Sequence, residues 1–184
     1  MAISRRKAIR LAGASSVAIV AGISSTVATA TPAAAEIDTF EFMSVNFPDW
    51  FIRHRNFLGE LSRQYTSDPP GDFSFKLLSW PPLGPGEPER VALESTNIPG
   101  GYRLRHKFFR IVLEKSTGPG DQLFLADSTF YLELNRFGFG GVSFRSVNYP
   151  DRYLRHRDFQ LWVEPWNSPN LAADASFIKY VRID

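Results

Sequence analysis

Every histidine in the chain stands directly after an arginine and well ahead of an aspartate: Arg53-His54 with Asp72, Arg105-His106 with Asp127, Arg155-His156 with Asp174. The His-to-Asp intervals are 18, 21 and 18 residues. An ionised carboxylate can accept charge-assisted hydrogen bonds from two neighbouring hydroxyls, and an imidazole can donate or accept another. With an aromatic ring as an apolar wall for C–H groups, such a pair suits a small neutral polyol such as a sugar, so the candidate binding residues are His54, Asp72, His106, Asp127, His156 and Asp174. A purely structural reading competes: a buried imidazole and carboxylate can satisfy a turn and be repeated only because the whole unit was copied. On the binding reading, Asp174→Ala weakens ligand without unfolding the chain. A metal site would need the copies to converge, because one His and one Asp per copy leave it two or more ligands short. No metal and no cofactor is expected. Nothing resembling a Ser-His-Asp or Cys-His arrangement stands apart from the repeated pattern. Hydrolysis of a glycosidic bond normally uses two flanking carboxylates. Only one acid recurs in every copy, since Glu114 and Glu164 share a register that copy one fills with Ser62.

These residues belong to a larger unit repeated three times. Phe42-Met43-Ser44-Val45-Asn46-Phe47-Pro48 aligns with Leu93-Glu94-Ser95-Thr96-Asn97-Ile98-Pro99 and with Phe144-Arg145-Ser146-Val147-Asn148-Tyr149-Pro150, the asparagines being 51 residues apart both times. A Phe follows each His by three residues (Phe57, Phe109, Phe159). Each unit closes on a second block: Asp72-Phe73-Ser74-Phe75, Asp127-Ser128-Thr129-Phe130 and Asp174-Ala175-Ser176-Phe177. Asn two residues before Pro is a turn signal and reads as structural. The Arg-His pair sits on a predicted strand, where alternation sends His54 to one face and Arg53 and Arg55 to the other. The arginines are therefore expected at a solvated or ion-paired rim.

Short runs such as Phe109 to Leu113 and Phe159 to Val163 read as strands bounded by turn residues, and no segment after residue 36 sustains a helical apolar period. The class is all-β. A unit of about 50 residues with several short strands cannot bury its apolar face alone, so the copies must share a core. Closing three copies about one axis removes open sheet edges, and the economical solution is a β-trefoil with threefold internal pseudo-symmetry. Its repeats run over about 40–80, 91–136 and 142–184. Pro81–Gly86 and Phe137–Gly141 read as connections rather than domain linkers.

Residues 1–35 have a different character. Arg5-Arg6-Lys7 leads into an Ala/Val/Ile/Ser stretch that ends on Ala33-Ala34-Ala35, the pattern of a cleavable export signal of the twin-arginine type. Residues 36–184 are then the mature, exported domain. Removing Arg5, Arg6, Lys7 and Arg10 leaves 17 basic against 19 acidic residues, near −2, so nothing in the charge suggests nucleic acid or a membrane surface as partner. Without cysteine, stability must come from a packed core, for which 16 Phe and 4 Trp in 184 residues provide ample material. A monomer is expected.

At Asn148-Tyr149-Pro150-Asp151-Arg152-Tyr153-Leu154-Arg155-His156 and Ala172-Ala173-Asp174-Ala175-Ser176-Phe177 the chain resembles the arabinose-binding domain of α-L-arabinofuranosidase B, the family-42 carbohydrate-binding modules. Copy two repeats the pattern at Asn97-Ile98-Pro99 and Leu125-Ala126-Asp127-Ser128-Thr129-Phe130. Two places depart from it: copy one has Gly71-Asp72-Phe73 where the family favours Ala-Asp-Ala, and copy two carries an extra residue in Gly100-Gly101-Tyr102-Arg103. The resemblance implies a secreted β-trefoil that binds terminal arabinofuranose side chains of arabinoxylan or arabinan, with His54 and Asp72, His106 and Asp127, and His156 and Asp174 in three pockets. Its partner is then an arabinose-containing polysaccharide, and catalysis is not expected. The alternatives are an α-L-arabinofuranosidase acting in L-arabinose metabolism and a non-catalytic trefoil that binds protein.

Overall fold

The computed structural model describes residues 39–182; the expected leader and its cleavage point lie outside them. The described chain is all-β: twelve strands in one antiparallel network, with short helical turns between some of them. Each copy contributes four strands. Copy one holds β1 (Thr39–Ser44), β2 (Trp50–Arg55), β3 (Leu58–Arg63) and β4 (Phe75–Trp80). Copy two holds β5 (Glu89–Ser95), β6 (Arg103–Lys107), β7 (Arg110–Glu114) and β8 (Phe130–Leu134). Copy three holds β9 (Val142–Ser146), β10 (Arg152–Arg157), β11 (Gln160–Pro165) and β12 (Phe177–Arg182). No helix among the described residues is long and apolar enough to cross a membrane.

Inside each copy the second and third strands form a hairpin: β2 with β3, β6 with β7, β10 with β11. Two residues connect them in every case, and both have positive φ: Asn56 and Phe57 at 51° and 61°, Phe108 and Phe109 at 50° and 63°, Asp158 and Phe159 at 52° and 58°. This is the type I′ geometry, whose twist matches that of the flanking strands. Phe109 and Phe159, expected to open strands, are thus turn residues, and the strands begin one residue later. The three hairpins also pair with one another, through Leu58↔Val112, Arg110↔Trp162 and Gln160↔Glu60. Each tip carbonyl accepts from the next hairpin: Phe57 O from Leu113 N, Phe109 O from Val163 N, Phe159 O from Leu61 N, all at 2.8 Å. Arg110 projects its guanidinium to Gly59 O, Ile111 O and Leu161 O, at 2.6, 2.9 and 2.6 Å, which are the same position in the three copies. Gly59 stands there without a side chain because a Cβ would lie 2.6 Å from Ile111 Cγ2.

The remaining strands pair across the copies. β4 pairs with β5 and β8 with β9, and the first and last described strands, β1 and β12, run together over six residue pairs from Thr39↔Arg182 to Ser44↔Phe177. Pro81–Gly86 and Phe137–Gly141 are therefore loops between strands that pair with each other. The core is filled from equivalent positions. Phe75, Phe130 and Phe177, the last residues of the second blocks, are fully buried, as are Phe42, Leu93 and Phe144 from the first. The Phe42 and Phe144 rings meet edge-on at 5.2 Å, a favourable quadrupolar arrangement.

Candidate functional site

The aspartate of each second block sits on a short helical turn: Asp72 within Pro70–Phe73, Asp127 at the end of α1 (Gln122–Asp127), Asp174 at the end of α2 (Leu171–Asp174). The hydroxyl two residues on holds that turn by donating to the carbonyl four residues before it: Ser74 to Pro70 O at 3.1 Å, Thr129 to Leu125 O at 2.6 Å, Ser176 to Ala172 O at 2.7 Å. The repeated Asp-x-Ser/Thr-Phe block thus divides its labour: the acid goes to the site, the hydroxyl closes the turn and the Phe enters the core.

All three expected His–Asp pairs are brought together. The closest nitrogen-to-oxygen approaches are 3.9 Å for His54 and Asp72, 3.2 Å for His106 and Asp127, and 3.6 Å for His156 and Asp174. What joins them is an asparagine from a different copy. Asn97 Nδ2 donates to Asp72 Oδ1 at 2.8 Å, Asn148 Nδ2 to Asp127 Oδ1 at 2.7 Å, and Asn46 Nδ2 to Asp174 Oδ1 at 2.6 Å. The other end of each amide, Oδ1, lies 3.0 Å from His54 Nε2, 3.0 Å from His106 Nε2 and 2.9 Å from His156 Nε2. A serine two residues earlier aims the amide. Ser95, Ser146 and Ser44 each donate to the Asn Oδ1 at 2.8 Å and accept the backbone N–H of Ile98, Tyr149 and Phe47. These serines are buried while Asn46 and Asn97 reach the surface. Each site therefore spans two copies, the third one linking residues 110 positions apart.

Arg55 and Arg157 lie half-exposed and ion-paired to Glu60 and Glu164, as a rim would have them, but the arginines that precede the histidines do not. Arg53 and Arg155 are 2% and 5% exposed, and each donates to the second oxygen of its lobe's aspartate: Arg53 to Asp72 Oδ2 at 2.8 Å, Arg155 to Asp174 Oδ2, and likewise Arg105 to Asp127 Oδ2. Alternation does place His and Arg on opposite faces, but the helical turn sets the carboxylate where both reach it, one oxygen for each. A second acid meets each guanidinium, Glu114 at 3.3 Å from Arg105 and Glu164 at 3.0 Å from Arg155. In copy one the second acid is Asp68, which accepts from Arg53 Nη1 at 3.2 Å from a loop outside the register of Ser62, while Glu60 pairs with Arg55 at 2.6 Å. Among the described residues no group of three His, Cys, Asp or Glu is placed to hold a metal ion.

Burial lowers the pKa of His54 and His156 below the ordinary imidazole value, against the opposing pull of Asp72 and Asp174. Both rings are neutral at pH 7. Since the Asn Oδ1 can only accept, Nε2 carries the proton, which leaves Nδ1 as an acceptor.

The walls differ among the copies. At the third site Phe47 meets the His156 ring edge-on at 5.2 Å and Phe159 at 5.5 Å, and Phe159 stacks on Trp50 at 4.4 Å. At the second, Tyr149 lies 5.3 Å from His106 and 5.0 Å from Phe109. The first has Ile98 in place of Phe47 or Tyr149, and its Arg53 Nε is buried without a hydrogen-bond partner, whereas Arg105 Nε and Arg155 Nε donate to the next residue's carbonyl. Gly71, the first departure from the pattern, is explained by packing: a Cβ there would lie 2.5 Å from Asn97 Cβ. The third cluster opens into a cavity of about 450 Å³ lined by Asn46, Phe47, His156, Phe159 and Asp174 among others.

The asparagines, serines and arginines of these clusters were not singled out as site residues from the sequence, although Ser-x-Asn recurs intact in all three copies at Ser44, Ser95 and Ser146. A serine and an asparagine repeated together, with only the Pro needed for a turn, were the available signal.

Among proteins of known structure, an arabinofuranosidase complexed with arabinofuranosyl-α-1,2-xylobiose superposes with a TM-score of 0.63 at 19% identity, covering 82% of this chain and 32% of that one. An endo-β-galactosidase from Clostridium perfringens superposes with a TM-score of 0.59 at 10% identity, covering 80% and 33%. At these identities the likeness is one of fold. In sequence, α-L-arabinofuranosidase B of Emericella nidulans is 40% identical over 73 residues, and an arabinofuranosidase/β-xylosidase of Trichoderma koningii is 38% identical over 72. These alignments cover 40% and 39% of this chain but only 14% of each relative's length. The family described as the alpha-L-arabinofuranosidase B (ABFB) domain matches residues 79–179, more than half of the sequence, and the chain belongs to that family.

Proposed function

We propose that residues 36–184 form a secreted, non-catalytic carbohydrate-binding module, a threefold pseudo-symmetric β-trefoil that recognises terminal L-arabinofuranose side chains of plant hemicellulose such as arabinoxylan or arabinan. The observation that carries this reading is the third site, where His156, Asp174 and Asn46 meet at a cavity with Phe47 and Phe159 as walls. Each carboxylate oxygen of Asp174 has one protein donor, Asn46 or Arg155, and keeps a lone pair for a ligand hydroxyl. Nδ1 of the neutral His156 accepts another, and the Phe faces take the apolar side of the ring.

The trefoil is supported by the three mutually paired hairpins and by the three outer strand pairs that close β1 on β12. A module rather than an enzyme is supported by the small share of the relatives' length that the chain matches, and by the acids, each of which is held on an arginine instead of flanking an open bond. Residues 1–35 are proposed as a twin-arginine export leader, and the exported domain as a monomer with repeats near 40–80, 91–136 and 142–184.

Calorimetric titration with methyl α-L-arabinofuranoside and arabinofuranosyl oligosaccharides tests the reading. A single shallow pocket should bind with roughly −4 to −6 kcal/mol, millimolar to high micromolar. Absence of heat at millimolar ligand overturns it. Release of arabinose from a chromogenic arabinofuranoside, lost on substitution of one aspartate, would establish an enzyme instead.

A further inference from the structure

One hairpin tip breaks the pattern of the other two. The first turn residue is Asn56 in copy one and Asp158 in copy three, types that tolerate positive φ, but in copy two it is Phe108 at φ 50°. Phe108 is also 92% exposed, so packing does not compensate for the unfavourable backbone. A bulky apolar residue held in a disfavoured conformation and in full contact with water points to a role outside folding.

Phe108 lines a cavity of about 640 Å³ together with Phe109, Trp162, Glu164 and Ser168, within the size range of ligand pockets, ~300–1,000 Å³. This cavity shares Arg155, Arg157 and Asn170 with the one that contains His156 and Asp174. Arg155 is the partition: its Nη2 faces Asp174 on one side, while its Nη1 donates to Glu164 and to Pro169 O, both at 3.0 Å, on the other. Arg157 is paired to the same Glu164 at 3.0 Å, and Arg152 lies 4.1 Å over the Phe109 ring. The charges of the groove are thus largely engaged with one another, and what it offers a ligand is aromatic surface bordered by hydrogen-bonding groups, which suits a neutral saccharide better than an anion.

We propose that this groove is a second subsite of the third copy, which holds the pyranose main chain from which the arabinofuranose in the neighbouring pocket branches, with Phe108 as the platform on which a pyranose ring stacks. The inference rests on the pocket reading given above. A side chain bound by its non-reducing end leaves its linkage pointing out of the pocket, and the groove across Arg155 is the continuous surface that can receive the sugar to which it is linked.

The test compares methyl α-L-arabinofuranoside with arabinofuranosyl-α-1,2-xylobiose by NMR titration of the full-length mature domain, following the His156 ring and the Trp162 indole N–H. The wild type should bind the branched trisaccharide about five- to tenfold more tightly at the third site, one good stacking contact. Phe108→Asn, which installs the residue of Asn56 and suits the turn, should leave the affinity for the methyl glycoside unchanged and remove the advantage of the trisaccharide, while Phe108→Trp retains it. The Trp162 signal should move with the trisaccharide and not with the methyl glycoside. Equal affinities of the wild type for the two ligands, or a Phe108→Asn protein that keeps the preference, would overturn the subsite and leave the pocket standing. If neither ligand shifts the His156 signal, the pocket reading fails and this inference with it.

Discussion

On the proposed reading Asp174 serves a ligand as well as the fold, which alters what its removal would reveal. Its carboxylate is the counter-charge of a guanidinium that is 5% exposed, and deleting one member of a buried ion pair strands the other. Asp174→Ala should therefore lose binding and also cost about 3 kcal/mol of stability, with Glu164 limiting the damage, measured by urea denaturation. That variant is therefore expected to fold with reduced stability, so its loss of binding does not by itself separate the two roles. Asn46→Ala is the cleaner probe: the side chain is exposed, its loss should change stability by no more than about 1 kcal/mol, and third-site affinity should fall about tenfold in a calorimetric titration. The histidines supply a pH test. Because burial holds His54 and His156 below the imidazole value, the unfolded chain binds more protons than the native one as pH falls. Stability should be flat above about pH 7 and decline below about pH 6.5, where unfolded imidazoles protonate first, with a slope of at most about 1.4 kcal/mol per pH unit for each ring. Thermal melts across pH 5–8 would show this, and His156→Gln should flatten the slope.

At the scale of elements, each site is an encounter between a hairpin strand, a helical turn and the Ser-x-Asn loop of another copy, and a side-chain hydroxyl bond closes each turn. Ser176→Ala removes the hydroxyl bond to Ala172 O at a buried position and should cost about 1 kcal/mol. By loosening α2 it should weaken the third site while the His106 site keeps its affinity, a difference that residue-resolved NMR titration would register. The strands and their Phe-lined interior were legible in the sequence because period-two alternation and β-branched runs are local signals. The helical turns were not, since Leu171–Asp174 and Pro70–Phe73 are too short for a 3.6-residue period to declare itself. Arg53 and Arg155 were misplaced for a related reason. Alternation correctly predicts which face Arg53 leaves from, but it cannot foresee that a helical turn covers that face and turns a rim position into an interior one. Phe57, Phe109 and Phe159 read as a repeat, and the last two as the openings of strands; their positive φ, which sets these rings at the hairpin tips, follows from the two-residue turn and not from residue type.

Across the whole molecule, the triplication does more than multiply a site. The His and Asp of each copy are completed by the Ser and Asn of another, in cyclic order, with copy one closing the site of copy three through β1 and β12. No copy holds a complete cluster on its own, which explains why the recurring motifs were readable in the sequence while the composition of each site was not. Arg110 ties the same assembly together, since its guanidinium is bonded to one carbonyl of every copy. Arg110→Leu would leave those carbonyls with a lost charged donor and should cost about 3 kcal/mol in urea denaturation, while affinities measured well below the melting temperature stay unchanged. The cyclic sharing yields a sharper prediction. Asn46→Ala, Asn97→Ala and Asn148→Ala should weaken, about tenfold each, the sites of His156, His54 and His106 respectively, each in a copy other than the one mutated. If the three sites bind as proposed, a branched polysaccharide meets them on one chain at high effective concentration, so retention should depend on their product and not their sum. On an immobilised arabinoxylan column, loss of the His156 or His106 site should therefore reduce retention by well over half, whereas loss of the His54 site, with Ile98 for an aromatic wall, should reduce it least. Equal, additive losses from the three variants would show that the sites act independently, and retention unaffected by all three would remove the clusters from the binding surface altogether.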